Sequence, residues 1–371
     1  MEKVASVEKV AGVEKVARGE TPLTAPLRWL QDRIPVSGDD LRELTNEPVP
    51  NHMKRWWFAL GGTPAYLFIV QVVTGILLAF YYQPASGTAF ESVRYITEEA
   101  AFGWLIRGIH KWGATFMIAA VILHQMRVYF TGAYRKPREI NWMVGMCLLI
   151  STLMLGFTGY CLVYEQLSYW GAEVGANIAG SVPLVGGFMK TLLLGGDGFN
   201  SHTLSRFYVL HAAVLPTLLT LLVVVHIAII RVQGVTEFEF ADEPKDAPKT
   251  FNFFPEHVIS ELVVGLLLMI VLTALACIAP ATMGPPANPL VTPEVIKPEW
   301  FFYVAFRWLK LFPGTFAVLS TGFIVFIMFA WPFIDDWLRR KTQRPEISVW
   351  IGIFGVLSII ALTLWEALVA H

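Results

Sequence analysis

Four histidines form two pairs of nearly equal spacing in two hydrophobic stretches. His110 and His124 are 14 residues apart, and His211 and His226 are 15 apart. Both intervals are close to whole numbers of helical turns, so each pair is expected on one face of its helix, with about 21 Å along the axis between its members. If the two helices are neighbours, the imidazoles form two stacked bis-histidine sites, one in each leaflet of a bilayer core about 30 Å thick. Imidazole is a common axial ligand of haem iron, so the pattern predicts two haems that carry electrons across a membrane.

Residues near these histidines favour the same hypothesis. Arg107 lies one turn before His110, and Arg206 lies five residues before His211. A charge at membrane depth is costly and usually functional, and arginine pairs well with carboxylates such as haem propionates; the alternative is snorkelling at a helix end. Four glycines repeat the 14-residue interval and would let a flat macrocycle approach closely, namely Gly61, Gly75, Gly145 and Gly159. General small-residue helix packing would explain any one of them, but not the shared spacing.

The composition is that of a membrane protein. Hydrophobic residues make up 55% of the chain and charged residues only 15%, against about 25% charged in an average soluble protein. A net charge of -1 argues against a nucleic-acid partner. The three cysteines have neither CxxC nor CxxCH spacing, which argues against a c-type haem attachment.

Seven nearly uncharged runs predict an all-α fold of seven membrane-spanning helices. Each run is close in length to the roughly 20 residues that a helix needs to cross a bilayer. The predicted spans are about 58–82, 103–130, 140–164, 207–231, 257–280, 313–334 and 347–366. A further apolar run, 174–194, is interrupted by glycine and proline and predicts a surface or re-entrant helix.

Charge asymmetry orients the spans. The amino-terminal tail and the second, fourth and sixth loops together carry 20 of the 28 lysines and arginines. By the positive-inside rule, the amino terminus is cytoplasmic and the carboxyl terminus lies outside. His110 and His211 then lie toward the outer face, and His124 and His226 toward the inner face.

The predicted spans and the charged segments between them divide the chain into four parts. Residues 1–56 form a cytoplasmic tail, 57–232 a four-helix dihaem domain, 233–256 an acidic, proline-containing linker, and 257–371 a three-helix domain. The tail contains a run, Pro26–Ile34, that is compatible with a short interfacial helix. It also repeats Glu-Lys-Val-Ala at Glu2–Ala5, Glu8–Ala11 and Glu14–Ala17. Four histidines outside the pairs are expected to be solvated, namely His52, His202, His257 and His371.

Several motifs resemble one known family. They are Phe102–Trp112, Gly156–Tyr160, Arg206–His211 and Pro298-Glu299-Trp300. Over about residues 45–371 the chain resembles the cytochrome b subunit of the Rieske/cytochrome b complexes, the bc and bf quinol oxidases. The 15-residue histidine interval and the seven spans are similar to the bf branch, in which cytochrome b and subunit IV are often separate polypeptides. The chain resembles a fusion of the two.

The resemblance implies a quinol:cytochrome c (or similar acceptor) oxidoreductase with proton translocation. Pro298, Glu299, Trp300 and Phe301 correspond to the family's quinol-oxidation motif, near which Tyr160 is also expected. Quinol must lose two protons as it is oxidised, and Glu299 can accept one as a general base. The implied partners are a Rieske iron–sulfur protein, a c-type cytochrome, quinone and lipid, in a homodimeric complex. The implied location is a bacterial energy-transducing inner membrane.

Three positions depart from the family pattern. Phe301 stands where the motif usually has tyrosine, so a hydroxyl is missing near the quinol site. Val163-Tyr164-Glu165 replaces the usual Pro-Trp-Asp or Pro-Trp-Gly after the third span. Ala59 stands where the bf branch has the cysteine that tethers an extra haem, so we expect no covalent third haem by that linkage.

Two other classes of protein are compatible with intramembrane histidines. A dihaem membrane anchor of a dehydrogenase or reductase would take electrons from a soluble subunit, but it needs neither the Pro-Glu-Trp motif nor a three-helix second half. A transporter with histidines as proton relays is the other alternative, and it predicts a colourless protein.

Overall fold

A computed structural model describes residues 48–55, 58, 60–196, 198–236, 238 and 249–369. The predicted interfacial helix, the tail repeat, Ala59, His371 and most of the linker lie outside the described residues. In chain order the helices are α1 (Gly62–Ala79), α2 (Ala89–Glu98), α3 (Gly103–Thr131), α4 (Glu139–Cys161), α5 (Gln166–Gly180), α6 (Gly186–Leu194), α7 (Ser201–Gln233), α8 (Val258–Ile278), α9 (Tyr303–Leu311), α10 (Gly314–Thr342) and α11 (Glu346–Leu368).

The seven long helices, α1, α3, α4, α7, α8, α10 and α11, are long and apolar enough to cross a membrane, which confirms the predicted fold class. Many of their large apolar side chains are exposed in the isolated chain, such as Ile270 at 65% and Phe354 at 74%. Helices that are apolar on nearly all sides are typical of membrane spans, because lipid covers the outward faces.

The short helices lie between the spans. The apolar run 174–194, predicted as one surface or re-entrant helix, contains a break between α5 and α6. Gly186 at the start of α6 contacts the backbone of Gly180 so closely that a side chain there would collide with its carbonyl. Helices α2 and α9 were not predicted, because both are short and carry charged residues.

Helix α7 contains a π-helical turn at Leu210–Val214. Pro216 lies two residues after this turn, and proline cannot supply the backbone N–H that a regular helix needs. A π turn takes up one extra residue without adding a helical turn. His211 lies inside this turn, so its 15-residue interval to His226 is geometrically equivalent to the 14-residue interval in α3.

A two-stranded antiparallel sheet joins the segment before α1 to the segment before α8. Strand β1 (Pro48–Pro50) pairs with β2 (Thr250–Asn252). The prediction that His52 is solvated is wrong: it is 2% exposed. Its ring lies 4.7 Å from that of Phe58 and 5.3 Å from that of Phe238. The strand pairing brings together aromatic residues that are distant in the sequence.

A buried ion pair joins the loop after α3 to α10. Arg135 Nε lies 3.0 Å from Oδ2 of Asp335, which is 1% exposed. The Ser348 hydroxyl of α11 donates to the same carboxylate. Nearby, Trp331 Nε1 donates to the Tyr134 hydroxyl at 3.0 Å. These contacts hold α10 and α11, the last two spans, against the loop that joins α3 to α4.

We expect Asp335→Asn to lower the free energy of unfolding by about 2 kcal/mol. Breaking a fully buried pair costs about 3–5 kcal/mol, and the loss is smaller here because the Arg135 side chain is 36% exposed. The measurement is the thermal unfolding midpoint in detergent. Asp336→Asn is the matched control: Asp336 pairs with Arg340 on the surface, with side-chain exposures of 60% and 75%, and should shift the midpoint little. Equal shifts in both variants would contradict the prediction.

Candidate functional site

Helices α3 and α7 bring the four histidines together as two facing pairs. The ring centres of His110 and His211 are 6.2 Å apart, with an interplanar angle of 72°. Those of His124 and His226 are 6.4 Å apart, at 76°. An iron bound between two imidazoles requires about 6 Å between ring centres, from two bonds of about 2 Å and about 1 Å within each ring. Both pairs therefore fit an iron at their midpoint.

Two threonines fix the rings of the first pair. Thr74 Oγ1 lies 2.9 Å from Nδ1 of His110, and Thr158 Oγ1 lies 3.1 Å from Nδ1 of His211. Each threonine hydroxyl donates to a backbone carbonyl one turn earlier in its own helix. Its oxygen can therefore accept a hydrogen bond from Nδ1–H, which leaves Nε2 of each histidine free to bind a metal. The histidine spacing did not reveal these residues, although each precedes one of the spaced glycines.

Three of the four spaced glycines contact the histidine pairs. A Cβ on Gly75 would lie 3.3 Å from Cε1 of His110, and one on Gly159 would lie 2.6 Å from Cε1 of His211. A Cβ on Gly145 would lie 3.9 Å from Cε1 of His226. For Gly61 the nearest atom is the carbonyl oxygen of Phe58, at 3.8 Å. The absence of side chains at three positions therefore keeps space beside the imidazoles.

The two predicted arginines donate to backbone carbonyls. Arg107 donates to the carbonyl of Ala281 and, at 3.4 Å, to that of Thr282 in the segment after α8. Arg206 donates to the carbonyls of Thr191 and Leu192 at the end of α6, at 3.0 and 2.6 Å. Arg107 thus joins the segment after α8 to α3, and Arg206 joins α6 to α7. Their pairing with haem propionates stays a prediction.

A third arginine, Arg127, lies beside the second histidine pair and was not predicted. Its Nη2 is 3.3 Å from Nδ1 of His124, and its guanidinium lies 5.0 Å from the ring centre of Phe58. Its buried Nε has no hydrogen-bond partner among the described residues. Its position in the sequence, one helical turn after His124, could have identified it as a site residue. A buried cation with a spare donor suits an anionic group at this site.

The segment Pro298–Phe301 lies against α4. Glu299 precedes a short 3₁₀ turn, Trp300–Phe302. A Cβ on Gly156 would lie 3.1 Å from the ring of Phe301, so this phenylalanine packs directly on the α4 backbone. The ring of Phe302 lies 6.1 Å from that of Phe157 on the same helix, and Tyr160 follows Gly156 by one turn. The structure therefore brings together Tyr160 and the predicted quinol-site motif.

A second tyrosine, Tyr303, lies near the carboxylates of Glu299 and Glu366. Burial, together with the nearby carboxylates of Glu299 and Glu366, raises the pKa of its phenol. Glu366 is fully buried and pairs with Arg307 at 3.3 Å and Lys310 at 3.2 Å. These cations balance the buried carboxylate and hold α9 against the end of α11.

Comparisons with known proteins agree with this architecture. The family model described as cytochrome b/b6/petB matches residues 44–234, more than half of the chain. The chain belongs to the cytochrome b family. A second model, described as cytochrome b(C-terminal)/b6/petD, matches residues 286–370 of this cytochrome b.

Named relatives cover both halves. A cytochrome b6 of Heliomicrobium gestii is 46% identical over 57% of this chain and 99% of its own length. A cytochrome bc complex cytochrome b subunit of Chlorobaculum thiosulfatiphilum is 34% identical over 89% of this chain and 77% of its own length. A solved structure titled hyperthermophilic respiratory Complex III matches with a TM-score of 0.81 and 26% identity, over 93% of this chain and 92% of that one.

These findings confirm the predicted resemblance, including its fit to a fused cytochrome b6 and subunit IV. The protein is an integral membrane cytochrome b of the bc type and a subunit of a quinol oxidoreductase complex. Membership of this family implies b-type haem as the cofactor.

Proposed function

We propose that this cytochrome b takes electrons from quinol at the outer face of the membrane. One electron passes to a Rieske iron–sulfur protein and on to a c-type cytochrome or similar acceptor. The other passes inward to quinone near the cytoplasmic face, and the cycle translocates protons. Residues 57–232 form the dihaem half and 257–371 the quinol-site half, in a homodimeric complex with the amino terminus in the cytoplasm. The two facing histidine pairs are the observation that carries the proposal.

Two b-type haems fit the donor set. His110 and His211 would hold the outer haem through Nε2, and His124 and His226 would hold the inner one. When bound, the haems supply a path for electrons between the two faces. An Nδ1–H on His124 and the Arg127 guanidinium would both be donors, so Arg127 would be available to pair with an anionic group of the inner haem.

At the outer face, Glu299 removes a proton from quinol as its electrons leave. Glu299 directly precedes the short turn of aromatic residues, and Phe301 of that turn packs on Gly156 near the end of α4. The aromatic rings of Trp300, Phe301 and Phe302 pack on one another, with centre distances of 5.7 and 4.8 Å between neighbours. They form an apolar wall beside Glu299.

At the inner face, we place the quinone beside the start of α8. His257 Nε2 lies 3.9 Å from Oε1 of Glu261, and the Glu261 carboxylate packs on Gly62 at the start of α1. An imidazole and a carboxylate can both transfer protons, and the reduction of quinone to quinol consumes protons. The guanidinium of Arg231, at the end of α7, lies 5.3 Å from the ring centre of Phe253, and that ring lies 5.7 Å from the ring of His257.

The testing experiment is a reduced-minus-oxidised spectrum of the purified complex together with quinol:cytochrome c activity. We expect two b-type haems per chain and quinol-dependent reduction of the acceptor. A colourless protein would instead favour a proton-relay transporter. Haems that are reduced by a soluble dehydrogenase but not by quinol would favour a dihaem membrane anchor.

We expect acidic acetone to extract all haem from the denatured polypeptide. Ala59 has no thiol to form a thioether bond, and no cysteine lies in a CxxCH motif. The measurement is a haem stain of the extracted chain after denaturing electrophoresis, with a c-type cytochrome as the positive control. Stain that persists on this chain would contradict the prediction and point to Cys147, Cys161 or Cys277.

A further inference from the structure

The segment between α8 and the quinol-site motif is held against the first four spans at several points. Trp112 Nε1 donates to the carbonyl of Ala279 at 2.8 Å. Arg107 donates to the carbonyls of Ala281 and Thr282. The segment has no regular helix of its own before Trp300, so these contacts decide where it lies.

Glu165 and Gln166, at the start of α5, hold the middle of this segment. The backbone N–H of Gly284 donates to Oε2 of Glu165 at 2.6 Å, and the N–H of Gln166 donates to the carbonyl of Pro285 at 2.9 Å. The N–H of Asn288 donates to Oε1 of Gln166, also at 2.6 Å. A stretch of five residues is therefore fixed by both backbone and side-chain bonds.

Local structure orients the Glu165 carboxylate. Tyr164 has a left-handed backbone, with φ of 55°, that turns the chain out of α4. Glu165 then forms a capping box with Ser168 at the start of α5. Its charge lies near Arg107, which holds the same segment. A hydrogen bond to a charged acceptor is stronger than a neutral one, so the bond to Gly284 is a firm anchor.

We propose that Glu165 is a positioning residue for quinol oxidation: it anchors the segment at Gly284 and so sets the Glu299 carboxylate against Tyr160. This role rests on the proposed function of the outer site. Glu165 belongs to Val163-Tyr164-Glu165, the segment in which the chain departs from the family's Pro-Trp-Asp or Pro-Trp-Gly, and the proposal gives this segment a function. Glu165 lies four residues after the end of α4, and Phe301 packs on Gly156 near that end, so the anchor and the motif lie at the same end of α4.

The test compares Glu165→Ala, Glu165→Gln and Glu173→Ala in the intact complex. Small displacements of a reacting group can cost about 10²-fold in rate, so we expect Glu165→Ala to lower kcat/KM for quinol by about 10- to 100-fold. Glutamine keeps an oxygen acceptor for Gly284 and should restore most of that loss. Glu173 also accepts a hydrogen bond from a backbone N–H, that of Phe199 at 2.6 Å, but both residues lie within the four-helix part of the chain. Its variant should therefore keep the wild-type rate.

Hydrogen exchange supplies a readout that is independent of activity. We expect faster exchange at residues 284–291 in Glu165→Ala, with unchanged haem spectra and unchanged electron entry from the inner quinone site. Wild-type quinol oxidation in Glu165→Ala, unchanged exchange, or an equal loss in Glu173→Ala would overturn the positioning role. A wild-type complex that does not oxidise quinol at all would overturn the proposed function, and this role with it.

Discussion

Replacing His226 or His124 with leucine should remove the inner haem and leave the outer haem in place. Leucine fills a similar volume but has no lone pair for iron. The inner pair is separate from the outer pair by the 14-residue interval in α3, so His110 and His211 keep their geometry. In the fraction that assembles, we expect about half of the b-type absorbance and a single midpoint potential in a redox titration.

Electron flow should change in a characteristic way. Without the inner haem, electrons that enter at the outer site have no path to quinone at the cytoplasmic face, so steady-state turnover should fall to near zero. His202→Leu is the matched control, because His202 is exposed at the start of α7. Two fully reducible b haems with unchanged spectra in both the His124 and His226 variants would show that the ligand assignment is wrong.

Replacing Glu299 with glutamine slows quinol oxidation while the complex assembles with both haems. Glutamine keeps the size and most of the hydrogen bonding of glutamate, but it cannot take a proton near neutral pH. General-base assistance typically contributes about 10²- to 10⁴-fold, and a bypass through water or a neighbouring group would reduce the loss. The measurement is the rate of quinol oxidation across a pH series, where we expect an altered profile.

The control for this variant is Glu294→Gln, an exposed carboxylate in the same loop. It should retain the wild-type rate and pH profile. Electron entry from the inner quinone site should survive in the Glu299 variant, since that site lies at the other face. Wild-type quinol-oxidation rates at every pH would remove Glu299 from the mechanism.

The amino-acid sequence was sufficient to predict the seven spans and the positions of the paired histidines. Both follow from local patterns. A membrane span requires about 20 apolar residues in a row, and two residues about 14 apart on one helix must lie near the same face. The motif around Glu299 was also recognisable, because its residues are contiguous in the chain.

Contacts between distant segments were decided only by the tertiary structure. Thr74 and Thr158 orient the outer histidines across helix boundaries, and His52 is buried by aromatic rings that strand pairing brings to it. Glu165 reaches Gly284, which is 119 residues away in the chain. Such contacts depend on how helices pack and where loops cross, and hydrophobic periodicity carries no information about either. The sequence thus determined which segments span the membrane and which histidines lie in them. The packing of α3, α4, α7 and the loop after α8 determined which residues these side chains contact.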